Sequence, residues 1–458
     1  MTTRFEEYPL RYLARVVIEF RTAFLIGNGQ NNAFADEVFV SDANGLPALP
    51  GSSIAGILRR QLSETDANDI FGNRDASMGS RLTISWGCIH DSHNRPVEGL
   101  VQLNTIEQDT VLRQAKYSMV RDHVCINRRG TAVQGGKFDE RCVDAGHRFT
   151  FEMILEGNAG DESKWTILMS ALTSNELRFG GKTRRGYGAF DVVHLKTQMF
   201  NLSNPAERDA YLLQPKEFAI DSAMLDRRDL YAATTRNPET ISLTIPLEPQ
   251  GFWMVGGGSG TAADMTPVEA SRIVWDEQQN GSVKKVILIP GTAIKGPLSH
   301  RVAYYYNALN ESYADCPSEI KPAVGAFNGA VRCLFGSAKN DKHHDPGEAG
   351  RIYIDDIYIE QTNGLEAARK IINHVSIDRF TGGSRAGALF SEQPIYQGGP
   401  VQLRITITEK SKIIEESNVK EAFNLAIKDL KEEQLAIGSG DGRGNGYFKS
   451  SETVSIPW

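Results

Sequence analysis

Residues 46–60 read LPALPGSSIAGILRR, and this stretch decides the fold of the first half of the chain. An apolar run ends in a Pro-Gly pair, and apolar residues then recur at helical spacing from Ile54 onward. The pattern predicts a strand, a tight turn and a helix that begins at Ser52, with Ser52 or Ser53 capping the first turn. Such a helix start presents backbone donors to an anion. The candidate anion-binding residues of this stretch are Ser52, Ser53, Arg59 and Arg60.

The same pattern occurs a second time, at residues 287–301, which read ILIPGTAIKGPLSHR. Further stretches recur in the same order, and an internal duplication explains them best. The sequence therefore predicts a first domain at residues 1–198, a polar linker at 199–239 and a second domain at 240–458. The other recurring pairs are Ile26-Gly27 with Val255-Gly256, Phe71-Gly72 with Phe335-Gly336, His123 with His374, and GGKTRRGYG (180–188) with GSGDGRGNGYF (438–448).

Composition narrows the class of protein. The chain has 458 residues, 40% of them hydrophobic, so each half can bury a core. Its net charge of −7 excludes a polycation, and any nucleic-acid contact must come from local basic patches. No signal peptide and no apolar run of membrane length is visible, so we expect no membrane contact. Five cysteines without a CxxC pair favour a reducing cytoplasm.

Hydrophobic periodicity predicts the same order of elements in both halves. Alternating strands at residues 11–25, 81–87, 148–155 and 189–195, with helices from 52 and over 165–172, give the order βαββαβ. This order predicts an α+β fold of two tandem ferredoxin-like domains, the arrangement that RNA-recognition (RRM) domains also use. The polar segment 90–146 is too long for an ordinary loop, so we expect a functional insertion.

Several of these motifs together resemble one family. The pieces IGNG (26–29), DEVFVSD (36–42), PGSSIAGILR (50–59) and FGGKTRRGYG (179–188) resemble the backbone subunits of type III effector complexes, within the RAMP superfamily of CRISPR-associated proteins. The second half carries PGTAIKG and GRGNGYF but no counterpart of DEVFVSD. Two fused units in one chain resemble the double-unit subunit of the type III-D complexes.

The resemblance implies a function in RNA-guided defence. Backbone subunits bind a guide CRISPR RNA and other type III subunits, and a thumb-like hairpin from the insertion interrupts the duplex with the target RNA. An acidic residue on the glycine loop then cuts the target, with a divalent metal such as Mg²⁺. Asp36 matches this catalytic aspartate. In the second half Asp264 has the equivalent loop position, whereas Asp276 resembles Asp42; we favour Asp264.

Basic residues near the recurring glycine loops and in the insertion are candidates for RNA contact. In the insertion they lie beside apolar residues, a composition that suits a hairpin wedged between bases as well as an exposed mixed loop. The first half contributes Lys182, Arg184, Arg185, Arg121 and Arg128, and the second half contributes Lys295, His300, Arg301 and Arg443.

Three alternatives remain open. Cys88, His90 and His93 supply three possible zinc ligands, and Cys125 or His123 could complete the four that zinc requires. The chain could also be a purely structural backbone that binds guide RNA without cutting. A third function, guide-RNA processing, would use a histidine; the histidines that recur between the halves are His123 and His374.

Overall fold

A computed structural model describes residues 4–29, 38–73, 77–174, 176–234, 237–258, 260, 262–314, 323–339, 345–452 and 455–458. These residues form helices and antiparallel sheets, so the predicted α+β class is confirmed. The elements up to the middle of the chain are α1 (Arg4–Glu7), β1 (Leu10–Phe20), α2 (Gly51–Arg59), α3 (Glu64–Phe71), β2 (Leu82–Ile84), β3 (Cys88–Ile89), α4 (Leu103–Gln108), α5 (Thr110–Lys116), β4 (Val120–Ile126), β5 (Ala132–Arg141), β6 (Arg148–Gly157), α6 (Glu162–Thr173), β7 (Phe190–Asn201), α7 (Pro205–Leu212) and α8 (Arg228–Thr234).

The second half continues with a similar series. Its elements are β8 (Ile241–Pro249), β9 (Phe252–Trp253), β10 (Glu269–Trp275), β11 (Gly281–Ile289), α9 (Gly291–Leu309), α10 (Gly329–Phe335), β12 (Gly336–Ser337), β13 (Glu348–Ala349), β14 (Ile352–Ile354), β15 (Ile357–Glu360), α11 (Asn363–Ala368), β16 (Ile372–Ile377), β17 (Ser384–Glu392), β18 (Ile395–Tyr396), β19 (Val401–Ile407), α12 (Lys410–Glu415), α13 (Val419–Lys431) and β20 (Phe448–Lys449).

The central sheets of the two halves share one strand order. The first sheet runs β2–β6–β1–β7, with β3 also beside β6, and Val16 of β1 lies between Phe151 and Leu195. The second sheet runs β14–β19–β8–β20. When the short β3 is left out, the second strand along the chain lies at one edge of both sheets, followed by the third, the first and the fourth. Each half also inserts a two-stranded hairpin between its second and third strands, β4–β5 in the first half and β16–β17 in the second.

Each half has its own large hydrophobic core. Alternate residues of β1, including Val16 and Ile18, pack with α2 and α6 in the first core. In the second core, Ile245 of β8 packs with α9 and α13. Two helices of the same half cover the apolar face of each sheet. Each half therefore buries the apolar surface of its own sheet.

The turn before α2 differs from the prediction. The helix begins at Gly51 rather than Ser52, and its N-cap is Pro50 with no side-chain cap. The serines are not needed there because the turn is fixed by packing. A Cβ on Gly51 would lie 2.3 Å from the carbonyl oxygen of Ile84, and a Cβ on Gly291 would lie 2.3 Å from that of Ile354. The two Pro-Gly turns therefore contact equivalent strands in the same way.

Three other boundaries also differ. The strand that ends the first half runs on to Asn201, and α7 and α8 lie in the segment predicted as a linker without periodicity. The sequence pattern predicts one strand over residues 351–359, but this segment forms β14 and β15, which belong to different sheets. The long loop after Gly256 contains β10 and β11, a hairpin that the pattern did not predict.

The two halves contact each other through buried polar groups. Asp356, just after β14, accepts a hydrogen bond from Nη1 of Arg121 in the first half, at 2.6 Å. Within its own half, Asp356 also accepts a hydrogen bond from the amide of Gly291, at 2.9 Å. The neighbouring Asp355 forms ion pairs with Arg178 and Arg21 of the first half, at 2.9 and 3.3 Å. Carboxylates of the second half thus bind arginines of the first.

Candidate catalytic and RNA-binding site

The glycine loops of the two halves are closed by equivalent bridges. Gly27 pairs with Phe39, and Gly256 pairs with Pro267. Asp36, the first catalytic candidate, lies outside the described residues. In the sequence it precedes Phe39 by three residues, as Asp264 precedes Pro267. By its sequence distance from the bridge residue, Asp264 stays the predicted counterpart of Asp36.

Asp264 lies on the surface beside the outer strand of the second hairpin. Its Oδ2 accepts hydrogen bonds from the backbone amide of Ser391 at 2.7 Å and from the Ser391 hydroxyl at 2.9 Å. In return, the amide of Asp264 donates to Ser391 Oγ at 3.0 Å. The amide and hydroxyl of Ser391 lower the pKa of the Asp264 carboxyl, because hydrogen bonds to the charged form favour it. The carboxylate is thus exposed, ionised and fixed in one orientation.

Asp276 has a different environment. It lies at the turn between β10 and β11, where its Oδ1 accepts from the amide of Asn280 at 2.7 Å. Asp42 has a similar place in the first half, since its Oδ1 accepts from the amides of Asn44 and Leu46 at 2.8 and 2.9 Å. Both carboxylates accept hydrogen bonds from the backbone amides of a turn. Asp276 and Asp42 therefore have similar environments, as their aligned positions in the sequence suggest.

Both hairpins carry the same aromatic pair near their base. His123 stacks on Phe138 with ring centroids 5.0 Å apart, and His374 stacks on Phe390 at 4.8 Å. Two residues after each phenylalanine comes a buried glutamate: Glu140 and Glu392 have side chains that are 0% and 1% exposed. The histidine of each hairpin approaches its glutamate, at 2.9 Å for His374 Nε2 and Glu392 Oε1.

The basic residues of the terminal glycine loops bind these glutamates. Lys182 Nζ and Arg185 Nη1 lie 2.5 and 3.2 Å from Oε1 of Glu140. In the second half, Arg443 Nη2 lies 2.7 Å from Oε2 of Glu392. A carboxylate this deeply buried needs charged partners to offset its lost hydration. Three cations predicted as phosphate contacts therefore also anchor the hairpins.

The other predicted RNA contacts of the first half fall into two groups. Arg121 is turned toward the second half, as described above, and Arg184 donates to the carbonyl of Gly350 at 2.5 Å. Arg59 donates to the carbonyl of Gly72 at 2.7 Å and so fixes the end of α3. The second group is accessible to solvent: Ser52, Arg60 and Arg128 are exposed, and Ser53 is half-buried.

In the second half the candidates line helix α9. Burial, with help from Arg185 and Arg184, lowers the pKa of Lys295 to about 8. Burial also lowers the pKa of His300, which is hydrogen-bonded to the backbone of Ile126 in the first hairpin. Arg301 lies 3.1 Å from Asp429. The structure thus brings Lys295 next to Arg184 and Arg185 in the terminal glycine loop of the first half. These three residues form a cluster of positive charge at the boundary between the halves.

The zinc candidates do not form a common site among the described residues. The ring nitrogens of His90 contact Asn94 Oδ1 at 2.8 Å and Thr150 Oγ1 at 2.7 Å, and burial lowers its pKa to about 4. Burial raises the pKa of the Cys88 thiol to about 11, which disfavours the thiolate that zinc binds. His93 instead lies with Asp91 and Asp109, whose carboxylates already accept hydrogen bonds from backbone amides.

The model of the RAMP superfamily matches residues 17–191 and 247–449, more than half of the chain. The chain belongs to the RAMP superfamily. The two matched segments of this RAMP protein contain both glycine loops, both hairpins and parts of both central sheets. The resemblance predicted from the motifs is therefore confirmed at the level of the family.

Two known proteins are similar to parts of this chain. The CRISPR system Cms endoribonuclease Csm3 of Methanocaldococcus jannaschii is 27% identical to this RAMP protein over 198 residues, or 39% of this chain and 77% of that relative. A chain in the cryo-EM structure of the type III-B Cmr-beta bound to cognate target RNA matches with 15% identity and a TM-score of 0.29, over 41% of this chain and 60% of that chain. In the part of the RAMP chain that the structure describes, no helix is long and apolar enough to cross a membrane.

Sequence reasoning missed several residues of the site. Glu140, Glu392 and Ser391 lie in the insertions, whose basic and apolar residues predict RNA contact and do not indicate acidic anchors. A signal was present, because Phe138-Asp-Glu140 and Phe390-Ser-Glu392 share the pattern F-x-E at similar distances after the recurring histidines. Extending the duplication through this pattern would have identified the anchors of both RAMP hairpins.

Proposed function

We propose that this RAMP protein is a backbone subunit of a type III CRISPR effector complex, of the type III-D kind. In this proposal it binds guide CRISPR RNA and other effector subunits, and it cleaves complementary target RNA with Asp36 and Asp264. The observation that carries the proposal is the exposed, ionised carboxylate of Asp264 at the base of the second hairpin. The name of the Methanocaldococcus jannaschii relative, an endoribonuclease, supports it.

We also propose that the two halves are tandem ferredoxin-like units. Three observations support this architecture: the shared strand order of the central sheets, the hairpin inserted at the same place in each, and the equivalent packing of Gly51 and Gly291. Such a duplication would place the two catalytic aspartates one unit apart along the guide. The chain would then make two cuts in one target.

The proposed reaction is attack by a 2′-hydroxyl of the target on its adjacent phosphate. The 2′-oxygen forms a bond to phosphorus while the bond to the 5′-oxygen breaks, the hydroxyl proton passes to a base, and the leaving oxygen takes a proton from water. This gives a 2′,3′-cyclic phosphate and a 5′-hydroxyl. A carboxylate such as that of Asp264 assists by holding a divalent metal or by orienting the attacking hydroxyl.

The Asp264 site fits a divalent metal such as Mg²⁺. Its Oδ2 is engaged by Ser391, whereas its Oδ1 accepts no hydrogen bond from another described residue. Mg²⁺ commonly binds one or two carboxylates, keeps several waters and contacts phosphate oxygens. We propose that Oδ1 of Asp264 holds this ion, which when bound would neutralise charge on the phosphate.

Guide binding is proposed to use the basic groups around the glycine loops. Arg60 and Arg128 are exposed, and Lys182, Arg184 and Lys295 surround the boundary between the halves. Phosphate contacts of this kind position the RNA without reading its sequence. Because several of these cations also bind protein groups, we propose that they shape the groove as well as contact the guide.

One alternative has specific support. The two hydrogen bonds from Ser391 also connect the glycine loop to the hairpin. Asp264 could therefore have a structural role in a backbone subunit that does not cleave RNA. Guide processing by a histidine has less support, because His123 and His374 stack on phenylalanines beside buried glutamates.

Cleavage of labelled target RNA by the assembled, guide-loaded complex with magnesium separates these functions. The proposal predicts that Asp264→Asn removes one product without weakening guide binding. A complete product pattern from both Asp264→Asn and Asp36→Asn would support the structural backbone instead.

A further inference from the structure

The second hairpin presents different groups on its two faces near Asp264. Successive residues of a strand point to opposite faces, so Phe390 and Glu392 of β17 share one face and Ser391 points to the other. On the first face, Glu392 is bound by Arg443 and His374. On the second, Ser391 binds Asp264 through both its amide and its hydroxyl.

The backbone strengthens this connection. Met265 and Glu392 form a parallel bridge, in which the amide of Met265 donates to the carbonyl of Ser391 at 3.1 Å and the amide of Gln393 donates to the carbonyl of Met265 at 2.9 Å. The glycine loop thus adds a short extra strand to the edge of the hairpin. Any movement of the hairpin base would move the Asp264 carboxylate with it.

We propose that Ser391 is a positioning residue that orients the Asp264 carboxylate for target cleavage by the second half. This inference rests on the proposed function. The hydroxyl of Ser391 leaves one rotamer of Asp264 favoured, with Oδ2 held against the hairpin and Oδ1 presented to solvent. A catalytic carboxylate that is already oriented loses little freedom when the target RNA arrives.

The first half has a different residue at this place. His123 pairs with Phe138 as His374 pairs with Phe390, so the residue equivalent to Ser391 is Asp139. An ionised aspartate accepts hydrogen bonds but donates none from its side chain. Asp139 therefore cannot make the hydroxyl contact that Ser391 makes. A change at Ser391 should affect the second cut alone.

The test uses the full chain in its assembled, guide-loaded complex, with a target RNA labelled at one end. Ser391→Ala removes the hydroxyl but keeps the amide, and Ser391→Thr restores a hydroxyl on a residue that strands favour. We expect Ser391→Ala to lower kcat for the Asp264-dependent cut by roughly tenfold, the effect of one hydrogen bond to a charged group. The KM for target, the other cut and guide binding should stay unchanged, and Ser391→Thr should recover most of the rate.

The outcomes separate the two proposals. Asp264→Asn serves as the reference: if it leaves both cuts intact, the proposed function fails at this site. If Asp264→Asn removes a cut while Ser391→Ala cuts at the wild-type rate, the positioning inference alone is overturned. A rate loss that Ser391→Thr does not restore, or one shared by both cuts, would also overturn it, since either result indicates general damage to the hairpin.

Discussion

Arg443 Nη2 lies 2.7 Å from Oε2 of Glu392, joining the last glycine loop of the chain to a glutamate that is buried at the base of the second hairpin. The same guanidinium lies 5.8 Å from the centre of the Phe390 ring. The first half repeats this arrangement, with Arg185 beside Glu140 and Phe138. The hairpins are therefore held by charge and stacking rather than by the hydrophobic cores.

The first prediction concerns this anchor. Arg443→Met removes a charged hydrogen bond to Glu392 and leaves His374 as its partner, so we expect a loss of roughly 1 to 2 kcal/mol in local stability of the hairpin. Hydrogen exchange of amides in β16 and β17 measures this loss. The control is Arg385→Met, an exposed arginine of the same hairpin. Equal protection in both variants would contradict the anchor.

A second prediction concerns the contact between the halves. Asp356→Ala leaves the Arg121 guanidinium, whose side chain is only 10% exposed, without its carboxylate partner. Removing one partner of a buried ion pair costs about 3 to 5 kcal/mol. We expect a loss of this order in the free energy of unfolding, measured with denaturant. Asp229→Asn, which breaks an exposed pair with Arg228, should cost less than about 1 kcal/mol.

The third prediction concerns chemistry. Asp36→Ala should delete one product band from a labelled target RNA, Asp264→Ala the other, and the double variant should bind target without cutting at either place. In the proposed function, each carboxylate would hold the metal or orient the attacking hydroxyl for the cut made by its own half. Gel analysis of products with magnesium gives the result. The matched control is Asp276→Ala, which removes a turn carboxylate and should leave both bands.

The fourth prediction uses salt to test guide binding. Replacing Lys182, Arg184 and Arg185 by alanine should weaken guide binding. It should also make the plot of log K against log[salt] less steep, by up to about 2 in the magnitude of the slope, because binding with fewer phosphate contacts releases fewer counterions. Filter binding at several salt concentrations measures the slope. The control is Glu140→Gln, which disturbs the ion pairs of Glu140 with Lys182 and Arg185 but removes no positive charge. An unchanged slope in the triple variant would exclude these residues as phosphate contacts.

The fifth prediction concerns pH. With its pKa at about 8, Lys295 is charged below that pH and neutral above it. If it contacts a guide phosphate, guide affinity should fall as the pH rises from 7 to 9, because the neutral amine attracts phosphate weakly. Lys295→Arg stays charged throughout this range. We therefore expect a flatter pH dependence for that variant in fluorescence anisotropy titrations; identical curves would exclude the contact.

The sequence by itself determined the repeating framework. Pro50-Gly51 and Pro290-Gly291 identified equivalent turns, because only glycine lets a helix start approach a strand so closely. Apolar periodicity located α6, since that helix buries one face against its own sheet. Motifs and periodicity report local packing, and local packing is encoded over a few neighbouring residues.

Only the tertiary structure decided what the charged groups do. Arg121 and Arg443 are residues of the type that contacts phosphate, yet each forms an ion pair with a carboxylate far away in the sequence, Asp356 and Glu392 respectively. No local pattern pairs residues that are so far apart. The pairing of Ser391 with Asp264 likewise joins residues that are 127 positions apart in the sequence. A cation binds whichever carboxylate or phosphate the fold brings within reach, and burial sets the strength of that bond; both depend on residues far apart in the chain.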